Sequence, residues 1–188
     1  YYLLQQGYSD VRAVDLSQEQ LTLARQRLIE RDLEYEGRVQ FILADAFSYL
    51  AEHRGFQVIA AIDFLEHLSK DRIVDFLDIA HAALLDGGLV MIRVTNADNP
   101  GWGSMFYRDF THVTPFTRET VRQCFDLTGF EPLHIGYEVG PRFSGGVHAA
   151  VRNVKTSIRN FGQKIIARFF GVSGSAFSED IVAVGRRL

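Results

Sequence analysis

Two aspartates follow short apolar segments, and each precedes a stretch that begins a helix. Asp15 closes Val11–Asp15, and Asp45 follows Val39–Ala44, about one strand–helix unit further along the chain. A carboxylate at the end of a parallel strand can accept hydrogen bonds from ribose hydroxyls, and its charge strengthens them. We therefore predict that Asp15 binds the ribose and Asp45 the adenine amine of an adenosine-containing cofactor. The alternative is that each aspartate only caps the following helix.

Three histidines are candidates for a general base, because imidazole titrates near neutral pH. His67 follows Glu66 at the end of an apolar segment, His112 follows Asp109 in the sequence R-D-F-T-H, and His148 follows two glycines. A hydroxyl acceptor needs such a base to remove its proton as the new bond forms. We predict His112 and His67 as the catalytic residues. The alternative for His67 is a structural hydrogen bond to the backbone.

The sequence predicts no metal site. Asp63, Asn96, Asp98 and Asp109 have the oxygen ligands that hard cations prefer, but their spacing matches no recognised motif. The single cysteine, Cys124, excludes an internal disulfide and a cysteine metal cluster, and it suits a reducing compartment.

The elements that must position these residues alternate between strand and helix. Ser17, with Gln20 three positions later, begins a helix, and an apolar helical face from Ile73 to Leu84 ends at Gly87–Gly88. Strands are expected at Val11–Asp15, Val39–Ala44, Phe56–Ile62 and Leu89–Val94. This alternation predicts an α/β fold with a mostly parallel sheet and right-handed crossovers.

The second half adds a helix capped by Thr117 and two further strands, Phe130–Val139 and Asp180–Arg186, of which we expect the last to be antiparallel. We predict one domain over residues 1–188, with a C-terminal insertion over residues 140–178.

Composition limits the class of protein. The chain has 188 residues, of which 47% are hydrophobic and 23% charged, and its net charge is −3. This composition is typical of a globular domain, and the charge argues against a surface that binds nucleic acid. No apolar run approaches the roughly 18–20 residues of a membrane helix. We expect a cytoplasmic protein.

Two segments have unusual composition. Aromatic residues crowd the loop after the fourth strand, and they predict either an acceptor pocket or a lid packed on the sheet: Trp102, Phe106, Tyr107, Phe110 and Phe116.

Residues 151–170 form a predicted basic amphipathic helix. Its alternatives are peripheral contact with an anionic membrane, or packing on its own domain or on the partner in a homodimer.

Several segments together resemble the motifs of class I S-adenosylmethionine-dependent methyltransferases, especially the group of quinone O-methyltransferases and sugar-modifying enzymes. These segments are V-R-A-V-D-L-S, A-D-A-F, F-Q-V-I-A-A-I-D-F-L-E-H-L, and L-L-D-G-G-L-V-M-I-R-V with Asn96. The resemblance covers Tyr1 to about Phe130. Residues 107–116 (Y-R-D-F-T-H-V-T-P-F) are also similar to a loop of methyltransferases linked to glycan synthesis.

The resemblance implies a Rossmann-like methyltransferase fold and S-adenosylmethionine as cofactor. It assigns ribose binding to Asp15 and adenine binding to Asp45, and the segment Asp63–His67 to the methionine end. The predicted cofactor-binding residues are Asp15, Leu16, Asp45, Ala46, Phe47, Asp63 and Glu66.

The glycine-rich turn of this family would precede Tyr1. In this fold the first strand lies at the centre of the sheet, and its loss would leave buried backbone groups unpaired, at roughly 1–3 kcal/mol each. We therefore expect that the first strand is missing from this chain and that Tyr1 is not the natural start.

The sequence thus predicts an enzyme that transfers a methyl group from S-adenosylmethionine to an oxygen of a small molecule or saccharide. Two alternatives remain: a nicotinamide-dependent oxidoreductase, and a non-catalytic methyltransferase-like binding module.

Overall fold

A computed structural model describes residues 2–31, 37–137 and 178–188. The chain forms two compact units, Tyr1–Arg54 and Gly55–Leu188. The single-domain organisation over residues 1–188 stays a prediction.

The first unit opens with a short helix, α1 (Tyr2–Gln5), which ends where Gly7 adopts a φ of 92°. The Gly7 amide donates to the Leu4 carbonyl and the Tyr8 amide to the Leu3 carbonyl, both at 3.1 Å. This pair of bonds is the Schellman arrangement, which satisfies the last carbonyls of a helix and requires a left-handed residue. Gly7 therefore ends α1.

Two parallel strands form the sheet of the first unit. Strand β1 (Val11–Asp15) pairs with β2 (Val39–Leu43), so that Asp15 lies opposite Leu43. Helix α2 (Gln18–Arg31) connects them and buries Leu21 and Leu28, and α3 (Ala46–Glu52) follows β2. The Ser17 hydroxyl accepts the Gln20 amide at 3.3 Å, which confirms Ser17 as the cap of α2.

The second unit contains a four-stranded sheet in the order β3-β4-β6-β5. Strand β3 pairs with β4 in parallel, and β6 pairs antiparallel with both β4 and β5. The prediction of a mostly parallel sheet with an antiparallel last strand is confirmed. The bounds are β3 Phe56–Ile62, α4 Lys70–Ala83, β4 Leu84–Thr95, α5 Trp102–Phe106, α6 Arg118–Leu127, β5 Phe130–Tyr137 and β6 Asp180–Arg187.

Helices α4 and α6 cover this sheet with apolar side chains. Each helix buries residues at helical spacing, and the adjoining strands bury alternate residues, as expected for a sheet covered on one face by helices. The fully buried members are Leu77, Ala80, Ala83, Val90, Val94, Val121, Phe125, Ile181 and Ala183. Thr117 and Thr120 form a reciprocal capping box at the start of α6.

One helix boundary differs from the sequence prediction. Helix α4 ends at Ala83 rather than at Gly87–Gly88, because Leu84 is extended (φ −71°, ψ 154°) and begins β4 opposite Phe56. The apolar spacing of Leu84 fits a helix face, but the residue is buried as part of the strand.

Among the described residues, none of the helices has the length and apolar character needed to span a membrane. The glycine-rich loop of residues 140–146, His148, the insertion 140–178 and the basic helix predicted over residues 151–170 lie outside the described residues.

Candidate active site

Asp15 and Asp45 lie at the same edge of the two-stranded sheet of the first unit. Both strands run in parallel, Asp15 is the last residue of β1, and Asp45 comes two residues after the end of β2. The Ala44 amide donates to the Asp15 carbonyl at 3.1 Å, which joins the two strand tips. The structure therefore places the two carboxylates at neighbouring strand ends. Their role in binding stays a prediction.

Each of these aspartates also holds its own turn. Asp15 Oδ1 accepts the Ser17 amide at 2.7 Å, and Asp45 Oδ1 accepts the amide and hydroxyl of Ser48 at 2.9 and 3.0 Å. Asp45 is the N-cap of α3. The capping alternative is therefore present at both positions, but it uses one oxygen of each carboxylate. Within the described part of the chain, Oδ2 of each accepts no hydrogen bond and has room for a ligand donor.

The three neighbouring residues predicted to contact the cofactor differ in exposure. Leu16 is 73% exposed at the tip of β1, whereas the Phe47 side chain is 8% exposed and packs in the core. The first amides of α3, at Ala46 and Phe47, have no partner within their own helix, as at any helix start. A contact from Ala46 or Phe47 to a ligand is thus expected through the backbone, and a contact from Leu16 through its side chain.

In the second unit, Asp63 directly follows β3 in a left-handed conformation, with a φ of 52°. Its carboxylate receives two hydrogen bonds from the Arg93 guanidinium, one of 2.9 Å from Nε, and its amide donates to the Arg93 carbonyl at 3.0 Å. Residues other than glycine adopt this backbone region at a cost that the surroundings must offset. Arg93 fixes Asp63 at the carboxyl end of β3.

Glu66 lies in a short 3₁₀ turn, Leu65–His67, and is almost completely buried. Its backbone carbonyl accepts the amides of Val113 and Thr114 at 2.7 and 3.0 Å, which fastens the loop of residues 107–116 onto the turn. Oε2 of its carboxylate has no hydrogen-bond partner in the described chain. Burial raises the pKa of Glu66, because a desolvated carboxylate is disfavoured.

His67 belongs to a chain of hydrogen bonds that ends at Asp109. The His67 Nδ1 atom lies 2.8 Å from the Thr111 hydroxyl, which donates to Asp109 Oδ1 at 2.6 Å, and the Thr111 amide donates to the same oxygen at 2.8 Å. Because the hydroxyl proton goes to Asp109, Nδ1 is the donor to Thr111, and in the neutral ring Nε2 then has the lone pair. These bonds from the side chain and backbone of Thr111 lower the pKa of Asp109.

His112 lies beside His67, with the ring centroids 4.8 Å apart at an angle of 61°. Its Nδ1 donates to the Phe106 carbonyl at 2.9 Å, so in the neutral ring Nε2 is again the nitrogen with the lone pair. Asp109 lies three positions before His112 in the sequence, but its side chain is bonded to Thr111, and the Phe106 carbonyl fixes the His112 ring.

Sequence analysis missed two residues that shape this region. Arg93 interrupts the apolar run Leu89–Val94 of β4, and such an isolated charge is a signal that a buried or ligand-binding partner lies nearby. Thr111 follows Asp109 by two positions, the spacing at which an aspartate side chain accepts a backbone amide. Neither signal specifies the partner across the fold.

The aromatic loop divides into two groups. Phe106 and Phe116 are buried, which supports the packed-lid alternative for them, whereas Tyr107 is 75% exposed and Phe110 is fully exposed. The exposed pair remains available to an acceptor.

Residues 1–88 match the model of a protein family described as "Methyltransferase domain". The match covers 88 of the 188 residues and supports the class I S-adenosylmethionine-dependent methyltransferase predicted from the sequence. The family, the cofactor and the enzyme class predicted from the sequence are thereby confirmed. No curated protein is significantly similar to this methyltransferase in sequence.

Solved structures of methyltransferases share the fold. A SAM-dependent methyltransferase from Archaeoglobus fulgidus is 16% identical, with a TM-score of 0.61 over 98% of this chain and 90% of that one. The 1,6-didemethyltoxoflavin-N1-methyltransferase of Burkholderia thailandensis, with S-adenosylhomocysteine bound, is 20% identical (TM-score 0.60, covering 99% and 64%).

Magnesium protoporphyrin IX methyltransferase from Synechocystis PCC 6803, with SAM bound, is 11% identical (TM-score 0.57, covering 95% and 60%). This methyltransferase chain thus spans less than two thirds of the length of the last two proteins. At these identities the likeness shows the fold alone.

Proposed function

We propose that this methyltransferase transfers a methyl group from S-adenosylmethionine to an oxygen of a small molecule or saccharide. The observation that carries the choice of oxygen is the pair of imidazoles, His67 and His112, each held through Nδ1 and each with an Nε2 that has no hydrogen-bond partner among the described residues. A neutral amine can attack a methyl group with its own lone pair, whereas a hydroxyl needs its proton removed. A fixed pair of basic nitrogens suits the second case.

The cofactor would be held by the first unit. Asp15 Oδ2 accepts the ribose hydroxyls, Asp45 Oδ2 accepts the adenine amine, and the exposed Leu16 contacts the adenine face. When bound, the cofactor supplies an electrophilic methyl group and leaves as S-adenosylhomocysteine. The protein then has to align the acceptor and to accept its proton. The roles of Asp63 and Glu66 at the methionine end stay part of this proposal.

In the second unit, the His67–His112 pair would hold the acceptor hydroxyl and remove its proton. The bonds to Thr111 and to the Phe106 carbonyl orient the two rings, so little reorganisation is needed during the reaction. The exposed Tyr107 and Phe110 offer flat apolar surfaces, which suit a phenol ring or a sugar face.

Calorimetry provides the first test. We expect S-adenosylhomocysteine to bind and NAD not to bind, whereas binding of NAD alone would favour the oxidoreductase. Binding of neither would favour the non-catalytic module.

The acceptor chemistry is tested with tritium-labelled S-adenosylmethionine and matched acceptors, phenol against aniline and methyl glucoside against glucosamine. Label is expected in the hydroxyl acceptors and on the glucosamine hydroxyls. His112→Ala should lower turnover at least 100-fold and leave the affinity for S-adenosylhomocysteine unchanged, in line with the 10²–10⁴-fold contribution of general bases. Equal labelling of aniline and phenol, with no effect of His112→Ala, would contradict the proposal.

A further inference from the structure

Three ligand atoms of the types that transition metals prefer converge beside the turn Leu65–His67. His67, Asp109 and His112 each have one nitrogen or carboxylate oxygen that lies within 4.8 Å of those of the other two. Two imidazoles and one carboxylate on one side of a cation leave its remaining positions open, which is the ligand set of open mononuclear sites. We propose that His67, Asp109 and His112 bind a divalent transition-metal ion that holds the acceptor oxygen.

The hydrogen bonds around the two histidines support this site. A metal-bound histidine normally donates its other ring nitrogen to a carbonyl, a carboxylate or a hydroxyl, which fixes the tautomer. His112 donates Nδ1 to the Phe106 carbonyl, and His67 donates Nδ1 to Thr111. In the neutral form of each ring, Nε2 is then the nitrogen with the lone pair, and it has no hydrogen-bond partner within the described chain. A cation shared by two histidines requires each ring to be fixed by a hydrogen bond at its other nitrogen, as both rings are here.

The carboxylate is prepared in a similar way. Oδ1 of Asp109 accepts both bonds from Thr111, which leaves Oδ2 for a cation. Thr111 thus links a nitrogen ligand and an oxygen ligand through one side chain. Its role would be that of a positioning residue for the site.

A buried carboxyl group next to the cluster favours a cation as well. Glu66 precedes His67 in the turn, is almost completely buried, and its Oε2 has no partner in the described residues. A buried carboxylate oxygen without a partner is costly, and a nearby cation offsets that cost. This observation is independent of the geometry of the three ligands.

The distances define what binding has to change. Ligand atoms at about 2.1 Å from a cation lie roughly 3–3.5 Å from one another. The cluster is wider than this, so the side chains must move inward by about one ångström. Asp109 is exposed at the surface of its loop and has room for this movement.

The consequence for the reaction rests on the proposed function, whereas metal binding itself does not. A cation that holds the acceptor oxygen lowers the pKa of the hydroxyl, and the O–H proton then passes to water. In the metal-bound protein this step would replace the proton transfer to an imidazole described under the proposed function, because His67 and His112 would then be ligands of the cation.

The test is a titration of the metal-free protein with Co²⁺, followed by visible absorption and calorimetry. We expect one Co²⁺ per chain, with ligand-field bands that disappear in His67→Gln and His112→Gln. Thr111→Val keeps all three ligands and should weaken binding about 10- to 100-fold. His134→Gln replaces an exposed histidine of β5 and should bind as the wild type does. Far-UV circular dichroism checks that each variant is folded.

Two results would overturn the metal proposal. One is no Co²⁺ binding by the folded wild type. The other is equal binding by the wild type and by both cluster variants, which would place the ion elsewhere. Methyl transfer that continues at full rate in metal-free protein would leave the proposed function intact, with an imidazole as the base. Co²⁺ binding at the cluster without methyl transfer to any hydroxyl acceptor would support the metal site and contradict the proposed function.

Discussion

Replacing Asp15 by Asn should separate the two functions of this carboxylate, which are the hydrogen bond within its own turn and the proposed bond to the ribose. In the structure Oδ1 accepts the Ser17 amide at 2.7 Å, and the amide oxygen of Asn can keep that bond. The second oxygen becomes an NH₂ group, which cannot accept a hydrogen bond from a ribose hydroxyl. The variant should therefore fold like the wild type and bind the cofactor less tightly.

The size of the effect follows from the charge of the lost acceptor. A hydrogen bond to a charged group contributes about 1.5–3 kcal/mol. Since about 1.4 kcal/mol corresponds to a tenfold change in affinity, Asp15→Asn should weaken S-adenosylhomocysteine binding about 10- to 150-fold. The thermal unfolding midpoint should stay within about 2 °C of the wild-type value, because the turn keeps its hydrogen bond.

Calorimetry with S-adenosylhomocysteine measures this affinity. Asp78→Asn makes the same change at an exposed position of α4 and is the matched control, with wild-type affinity expected. If Asp15→Asn binds S-adenosylhomocysteine within twofold of that control, Asp15 only orders the turn and the ribose assignment is wrong.

Three further predictions concern stability and reactivity. Asp45→Ala removes the bonds to Ser48 and should cost about 1 kcal/mol in urea unfolding, whereas Asp45→Asn keeps the cap; equal losses would argue against capping. Gly185→Ala should destabilise by about 1–3 kcal/mol, because an added Cβ would lie 3.1 Å from Phe125 Cζ; an unchanged unfolding curve would contradict this packing. Burial raises the pKa of Cys124, so the free energy of unfolding should fall as the pH rises above the pKa of the unfolded thiol. For the same reason Ellman's reagent should react more slowly with the native protein than with the urea-unfolded protein. Equal reaction rates would contradict the burial of Cys124.

The order of elements could be read from the sequence because it depends on local patterns. The spacing of apolar residues and the positions of turn residues predict the bounds of strand Phe56–Ile62 without error. They also predict the antiparallel strand β6, except for its last residue. Leu84 shows the limit of this approach, since its spacing fits the helix face while its burial comes from the strand. Local spacing alone does not distinguish these two forms of burial.

The candidate site could be predicted only where a single segment defines it. Asp15 and Asp45 follow from strand ends, which the sequence marks. The bond between His67 and Thr111 joins residues 44 positions apart, and the one between Asp63 and Arg93 spans 30 positions. Such contacts depend on how the loop of residues 107–116 folds back onto the 3₁₀ turn, which no periodicity reports.

The position of β6 bears on how the second unit folds. Among the described strands, β5 pairs only with β6, and β6 in turn pairs with β4, although Leu89 and Arg186 are far apart in sequence. During synthesis, β3 and β4 can meet soon after they leave the ribosome, whereas β5 has to wait for residues 180–187 before it gains a neighbour. Closing so long a loop is slow, and we expect the docking of β6 to be the late and rate-limiting event.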